Sequence, residues 1–237
     1  MKKKEILAVI PARGGSKGIP WKNLAELCGK PLIQYTVEAA QASALLSRTI
    51  LSSDDDRIID YCKKQDIETP FKRPNEFAQD DSPMIDVIKH AVNFLGEKEG
   101  YKPDFIVLLQ PTSPLRETRH IDEALEKLIN SEADSIVSVV EIPHSCTPAS
   151  IMEFDGAYLK RCVDVDEKDL LRQKKPRSFA RNGPAVLAFT IDCLVNKNSM
   201  YGDKILPFFM KKEESVDIDE KLDLKIAECI MKTTDNK

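Results

Sequence analysis

An apolar run, Ile6-Leu7-Ala8-Val9-Ile10, breaks off into Pro11-Ala12-Arg13-Gly14-Gly15-Ser16-Lys17-Gly18-Ile19-Pro20-Trp21-Lys22-Asn23. Glycines set among one arginine and two lysines suit an anion. Gly14, Gly15 and Gly18 allow a tight turn and a close approach of backbone to a ligand. Exposed N–H groups, with Arg13, Lys17 and Lys22, then form a concave site for a polyphosphate. The chemistry indicated is that of nucleotides. The spacing is not GxxxxGK[ST], which speaks against a P-loop ATPase, and not GxGxxG, so the dinucleotide fingerprint is absent. A solvated strand-to-helix turn would account for the same residues without a ligand.

Further along, Gln110-Pro111-Thr112-Ser113-Pro114-Leu115-Arg116 follows another apolar run. Its prolines stiffen the loop, so Gln110, Thr112 and Ser113 present polar groups from a rigid support. A side-chain amide there can read a base or sugar edge; a proline-rich turn with a helix cap is the plainer alternative. Ser215-Val216-Asp217-Ile218-Asp219 places two carboxylates two residues apart, on one side of an extended segment. Both can meet one Mg²⁺, which takes hard oxygen ligands and keeps several waters, or Asp219 can cap the helix that follows. Arg73, Arg172 and Arg181, the last beside Asn182, offer planar forks for phosphate or carboxylate, although single arginines are more often surface charge. His90, His120 and His144 share no metal spacing, and no serine stands in a GxSxG elbow. Asp54-Asp55-Asp56 reads as a helix start.

The elements that must hold these groups alternate. Strand-like runs occur at 6–10, 49–52, 105–109, 135–140 and 185–191, with helical periodicity between most of them. Leu32, Ile33, Val37 and Ala40 mark one helix, Ile85, Ile88, Val92 and Leu95 a second, Ala124, Leu125 and Leu128 a third, and Leu222, Ile226 and Ile230 the last. Such alternation predicts an α/β fold: a mostly parallel sheet with helices on both faces and ligands at the carboxyl ends of its strands. Residues 143–180, rich in proline and charge, interrupt the rhythm as a lid, a dimer arm or a long surface loop. With 237 residues and 42% hydrophobic content the chain suffices for one domain over 1–237. A net charge of −4 gives no general attraction to nucleic acid. Six scattered cysteines without a CxxC pair fit reduced thiols in a cytoplasmic protein. No run suggests a signal peptide or a membrane span.

In their order along the chain, IPARGGSKGIPWKN, the Arg73-Pro74 region with Glu76 and Asp80, QPTSPLR, Arg172-Gln173 with Asn182-Gly183, and SVDIDEKLDL resemble the cytidylyltransferases that activate nonulosonic acids, the family typified by CMP-N-acetylneuraminate synthetase. The resemblance runs from about residue 6 to 230. It implies a Rossmann-like sheet of the nucleotide-diphospho-sugar transferase (glycosyltransferase A-like) type, with a dimerisation arm inserted near 143–180 of a homodimer. It implies that CTP meets Ala12, Arg13, Gly14, Gly15, Ser16, Lys17, Asn23 and Arg73. The sugar acid is implied to meet Gln110, Thr112, Ser113 and Asn182, with Arg172 reaching across from the partner subunit. Asp217 and Asp219 are implied to hold Mg²⁺, and Lys17, Lys22 and Asp217 to carry catalysis. The expected reaction is CTP plus a 2-keto sugar acid giving a CMP-sugar and pyrophosphate. Another NTP, 3-deoxy-manno-octulosonate or a sugar 1-phosphate, and a non-catalytic binding paralogue, are the alternatives. The family commonly has an arginine directly after the aromatic ahead of NGA; here Ala180 follows Phe179 and Pro184 follows Gly183. That departure lies on the acceptor side and leaves the sugar open.

Overall fold

The apolar run before the glycine-rich loop forms strand β1 (Ile6–Pro11) in the computed structural model, which describes residues 3–164, 177–183 and 185–234. Successive side chains of a strand face opposite ways. Ile6, Ala8 and Ile10 therefore enter one core, and Leu7 and Val9 enter another. A short ribbon, β2 (Glu26–Leu27) and β3 (Lys30–Pro31), leads into α1 (Leu32–Gln41). Next come β4 (Arg48–Ser52) and α2 (Asp56–Lys64), which starts where the Asp55 carboxylate accepts from the Arg57 N–H. The alternation continues with α3 (Met84–Glu99), β5 (Phe105–Leu108), α4 (Thr118–Ile129) and β6 (Ser135–Glu141). A hairpin of β7 (Met152–Asp155) and β8 (Tyr158–Arg161) then intervenes. Strand β9 (Phe179–Arg181), β10 (Leu187–Thr190), α5 (Ile191–Val195), β11 (Ile205–Phe209) and α6 (Lys221–Thr234) follow.

The sheet runs β11-β6-β10-β5-β1-β4, with β9 added beside β6. It is parallel at β4–β1–β5 and at β6–β11; β10 lies antiparallel between β5 and β6. The mostly parallel sheet expected from the sequence is thus present. Ile33 and Val37 of α1, Ile58 of α2 and Leu125 and Leu128 of α4 cover one face. Ile88 and Leu95 of α3 and Leu194 of α5 cover the other. Each such fully buried aliphatic side chain contributes about 1.5–3 kcal/mol.

Two features position the site. Because β10 is antiparallel, its first residue, Leu187, pairs with Leu108 at the far end of β5. The segment before β10 therefore arrives at the same sheet edge as the carboxyl ends of β1 and β5. Second, Ile19, Leu27, Leu32, Ile218 and Ala227 form a small separate core. It fastens the glycine-rich loop, the Asp217 segment and α6 to one another. This corrects the expected face of the last helix. Leu222 and Ile226 are exposed, and Leu224, Ala227 and Met231 face this core. Strand β11 was not expected. Pro207 interrupts it and Ile205 and Phe209 are exposed, as an edge strand permits. Within the predicted arm the hairpin projects Phe154, 82% exposed, and Tyr158, 80% exposed.

Candidate active site

At that sheet edge lies a cleft of about 250 Å³. Arg13, Gly15 and Ser16 border it from the loop after β1, Gln110 and Thr112 from the loop after β5, and Asp217 and Asp219 from the segment before α6. Lys22, Asn23 and Arg73 border it too. Three regions read separately in the sequence are thereby brought together.

The glycine-rich loop is held from several sides. The Gly14 N–H donates to Asp54 Oδ1 at 3.0 Å, and the Asn23 amide donates to the Arg13 carbonyl at 2.9 Å. Ala12 is buried and donates its N–H to the Ser52 carbonyl. Ala12, Gly14 and Lys17 do not border the cleft, so the part of the loop that faces it is Arg13, Gly15 and Ser16. Gly18 serves packing: a Cβ there would lie 2.3 Å from the Asp219 carbonyl oxygen. The loop's left-handed residue is Trp21, with φ +49°, stacked under the Arg57 guanidinium at 4.4 Å. Its turn sends Lys22 inward, where Nζ donates to the Ile218 carbonyl at 2.7 Å and pairs with Asp219 at 3.1 Å. Arg13 and Lys17 both bind Asp80, at 2.6 and 2.8 Å, and those two cations hold its carboxyl below the usual range. Asp80 thus marks where this loop accepts negative charge.

Arg73 is buried behind the cleft. Nε donates to Ser52 Oγ at 3.0 Å and Nη2 to the Ser52 carbonyl at 2.5 Å. Burial pushes its pKa down to about 10, with nearby Asp54 acting against that and Arg13 adding to it. Asp217 is the opposite case. Burial raises its pKa, against a contribution from Thr112, and the Asp219 carboxylate pushes the same way as burial. Its Oδ1 is buried and makes no hydrogen bond of good geometry among the described residues; the Thr112 hydroxyl, likewise without one, lies near enough to the carboxylate to draw its pKa down. The backbone closes over this carboxylate at Gly183, φ +90°, where a Cβ would stand 2.6 Å from Asp217 Cγ. An orphaned buried carboxylate beside a second, exposed one fits a hard divalent cation. Among the described residues no three His, Cys, Asp or Glu side chains cluster to hold a metal. A Mg²⁺ here would complete its shell with water and phosphate oxygens, as that ion commonly does.

On the expected acceptor side, Gln110 and Thr112 border the cleft while Ser113 does not, its hydroxyl being buried. Asn182 is a strut. Its Oδ1 accepts from Ser138 Oγ at 2.6 Å, and its Nδ2 donates to Ser215 Oγ at 2.9 Å. Arg181 donates to the Tyr201 hydroxyl and stacks on that ring. Arg172, Gln173 and Pro184 lie outside the described residues. Sequence reasoning missed Asp80 as a partner of the loop and Gly183 as the cover of Asp217. Their neighbours lie far away in sequence, and local spacing carries no trace of them. A larger groove, about 960 Å³, lies between α1, α4 and α6. Two charged pairs, Lys30 with Glu38 and Arg119 with Glu214, stand in its wall, and it gathers none of the sequence-predicted site residues.

A family model described as cytidylyltransferase matches residues 7–231. The chain is 32% identical over 224 residues to the N-acylneuraminate cytidylyltransferase of Escherichia coli O18:K1:H7, covering 94% of this chain and 51% of that protein. It is also 32% identical over 227 residues to the CMP-N,N'-diacetyllegionaminic acid synthase of Legionella pneumophila, covering 95% and 96%. The chain thus spans about half the length of the first relative and nearly all of the second. Among solved structures, a CMP:2-keto-3-deoxy-manno-octonic acid synthetase complexed with CTP matches with a TM-score of 0.71 at 18% identity. That match covers 97% of this chain and 99% of the other. It establishes the same fold.

Proposed function

Since the chain belongs to the cytidylyltransferase family, we propose that it activates a nonulosonic acid, converting CTP and a 2-keto sugar acid into a CMP-sugar and pyrophosphate. The observation that carries this reading is the buried, unpartnered carboxylate of Asp217 in the same cleft as Arg13, Gly15 and Ser16. A phosphate cradle alone serves a binder; a buried carboxylate in the same cleft, with one oxygen left without a hydrogen-bond partner, serves transfer.

The anomeric oxygen attacks the α-phosphorus in line, forming a P–O bond as the bond from that phosphorus to the bridging oxygen breaks. Pyrophosphate takes the electron pair. Such transfer depends on alignment and charge neutralisation. Arg13 and Lys17, now on Asp80, turn to the triphosphate tail, and Lys22 offsets charge growing on the leaving group. Asp217 and Asp219 are the residues that would hold Mg²⁺, which when bound neutralises phosphate oxygens. Asp217 is the carboxylate placed to accept the anomeric proton. Gln110 faces the incoming acid from its proline-stiffened loop. The working form is proposed to be a homodimer joined through the exposed hairpin of β7 and β8, with Arg172 reaching the partner's cleft. No helix among the described residues is long and apolar enough to cross a membrane, and a cytoplasmic site of action is proposed.

Mass spectrometry of products from CTP, Mg²⁺ and a panel of sialic, legionaminic and pseudaminic acids tests the reading. A CMP-sugar with equimolar pyrophosphate from at least one acid is expected. Turnover restricted to GTP or UTP, or none with any acid, would overturn it.

A further inference from the structure

Arg116, the last residue of the proline-rich loop motif, has no evident task on the surface: it is 3% exposed. Its guanidinium forms no ion pair with any described carboxylate, and burial depresses its pKa with no opposing charge nearby. Such a placement is unfavourable unless something else requires it, because a buried cation loses its hydration without recompense. An apolar side chain of similar length would fill the space without that penalty.

What the guanidinium does there is bind three separate segments at once. Nη1 donates to the Gln110 carbonyl and to the Ala185 carbonyl, each at 3.0 Å. Nη2 donates to Thr36 Oγ1 in α1, and that hydroxyl donates onward to the Gln110 carbonyl at 3.4 Å. The Ser113 N–H approaches the same carbonyl, also at 3.4 Å. The Gln110 carbonyl is thus the hub on which the loop after β5 closes. The loop in turn reaches the metal-side segment, since the Thr112 carbonyl accepts from the Ile218 N–H at 2.8 Å, between Asp217 and Asp219. Ala185, the third anchor, begins the approach to β10 two residues after Gly183, which covers Asp217. A planar fork of donors can reach all these acceptors together, whereas an ammonium is a point charge on a flexible stem.

We infer that Arg116 is a positioning residue for the transfer step. It fixes the Gln110 loop against α1 and the start of β10, and so sets where the sugar acid meets the nucleotide and the paired aspartates. The inference rests on the function proposed above. It assigns Arg116 no contact with substrate, and Arg116 does not border the cleft.

Three variants test it: Arg116→Lys, Arg116→Met and Thr36→Val. One readout needs no substrate, namely amide hydrogen exchange in peptides covering 109–117 and 181–188. Both peptides are expected to exchange faster in the Arg116 variants, with peptides of the loop after β1 unchanged. The second readout is kinetic. CTP affinity without acceptor, followed through Trp21, the only tryptophan, should stay within about twofold, because the phosphate loop is held by other residues. The acceptor's kcat/KM should fall by about 100-fold in Arg116→Lys, the loss typical of a 1 Å misplacement. Thr36→Val, which removes the relay and leaves Nη2 without its acceptor, should lose about tenfold and melt a few degrees early. Should Arg116→Met fail to fold, the lysine and valine variants decide alone. Wild-type acceptor kinetics or unchanged exchange in Arg116→Lys would overturn the inference. So would equal losses in CTP affinity and acceptor turnover, which would mark a merely structural role. A wild-type chain that makes no CMP-sugar would instead overturn the proposed function, and the exchange result would still decide whether Arg116 tethers the loop.

Discussion

Replacing Gly183 by alanine is expected to disable the site without touching any group that bears charge. The Cβ would stand 2.6 Å from Asp217 Cγ and 2.7 Å from each carboxylate oxygen. Ordinary contact begins at 3.4 Å, so the carboxylate must retreat by about 0.8 Å or the loop must lift by as much. Misplacing a reacting group by about 1 Å costs about 100-fold in rate. The backbone adds its own penalty, because φ is +90° at this position. Holding alanine in a sparsely populated region costs about 1–3 kcal/mol, which lowers Tm by about 2–12 °C in a domain of this size. The assay pairs pyrophosphate release under saturating CTP and acceptor with a thermal melt. The expected result is a kcat lower by about 100-fold together with a folded protein that melts only a few degrees early. A Gly183→Ala enzyme with wild-type kcat would refute the close packing of this loop on Asp217, or the need for that carboxylate.

Other expectations follow from the same cleft. Asp217→Asn should cut turnover by an amount equivalent to about 2–4 kcal/mol at the transition state. It should also stabilise the metal-free protein at neutral pH: the folded-state pKa of Asp217 is raised, so its penalty is present above that pKa and vanishes as pH falls below the unfolded value of 3.8. Melts of the two proteins from pH 3 to 8 should therefore converge at the acid end, and a constant gap would contradict the raised pKa. Asp80→Asn frees Arg13 and Lys17, so KM for CTP should fall by about two- to fivefold; an unchanged or higher KM would mean that Asp80 does not compete with the nucleotide. The proposed homodimer should become a monomer by sedimentation velocity on Phe154→Asp with Tyr158→Asp, and a wild-type monomer, or a dimer that survives both changes, would refute the interface proposed at this hairpin.

The sequence makes the site legible where a short segment carries both chemistry and its support. The loop of Arg13 to Asn23 stands directly after a buried strand, and Asp217 and Asp219 stand two apart in an extended run, so type and spacing suffice. Alternating apolar runs likewise reveal the parallel sheet, because burial on both faces demands them. What spacing does not reveal is how distant segments brace one another. In the sequence Arg116 is only the last residue of a proline-rich turn, yet its partners Thr36 and Ala185 lie 80 and 69 residues away. Asn182 reads as an acceptor-side ligand, yet its amide is engaged by Ser138 and Ser215. Leu222 and Ile226 carry the right period for α6, but Leu224, Ala227 and Met231 are turned to the small core around Ile218. Contact with that core, to which Ile19, Leu27, Leu32 and Ile218 contribute, decides which stripe is buried.

The charges of the cleft are arranged so that each binding event must undo an internal pairing. Arg13 and Lys17 rest on Asp80, and Lys22 rests on Asp219. A triphosphate offers Arg13 and Lys17 more negative charge than one carboxylate does, so it can displace Asp80. A divalent cation held by Asp219 would likewise compete with Lys22 for that carboxylate, and an ammonium released from it would be free to meet phosphate. Coupling of this kind is reciprocal: whatever CTP does to the affinity for the cation, the cation does to the affinity for CTP. The lysine therefore sets part of the coupling, since without nucleotide it competes with the metal for one carboxylate. Lys22→Met should bind Mn²⁺, a spectroscopic substitute for Mg²⁺, about two- to fivefold more tightly in the absence of CTP, the range expected from losing one partly exposed pairing. The same variant should lose turnover with CTP and acceptor present, because the displaced ammonium is then missing from the leaving group. Electron paramagnetic resonance titration of free Mn²⁺ measures the first effect and pyrophosphate release the second. A variant whose Mn²⁺ affinity without nucleotide is unchanged or weaker would show that Lys22 does not hold the carboxylate against the ion, and the exchange of partners described here would fail with it.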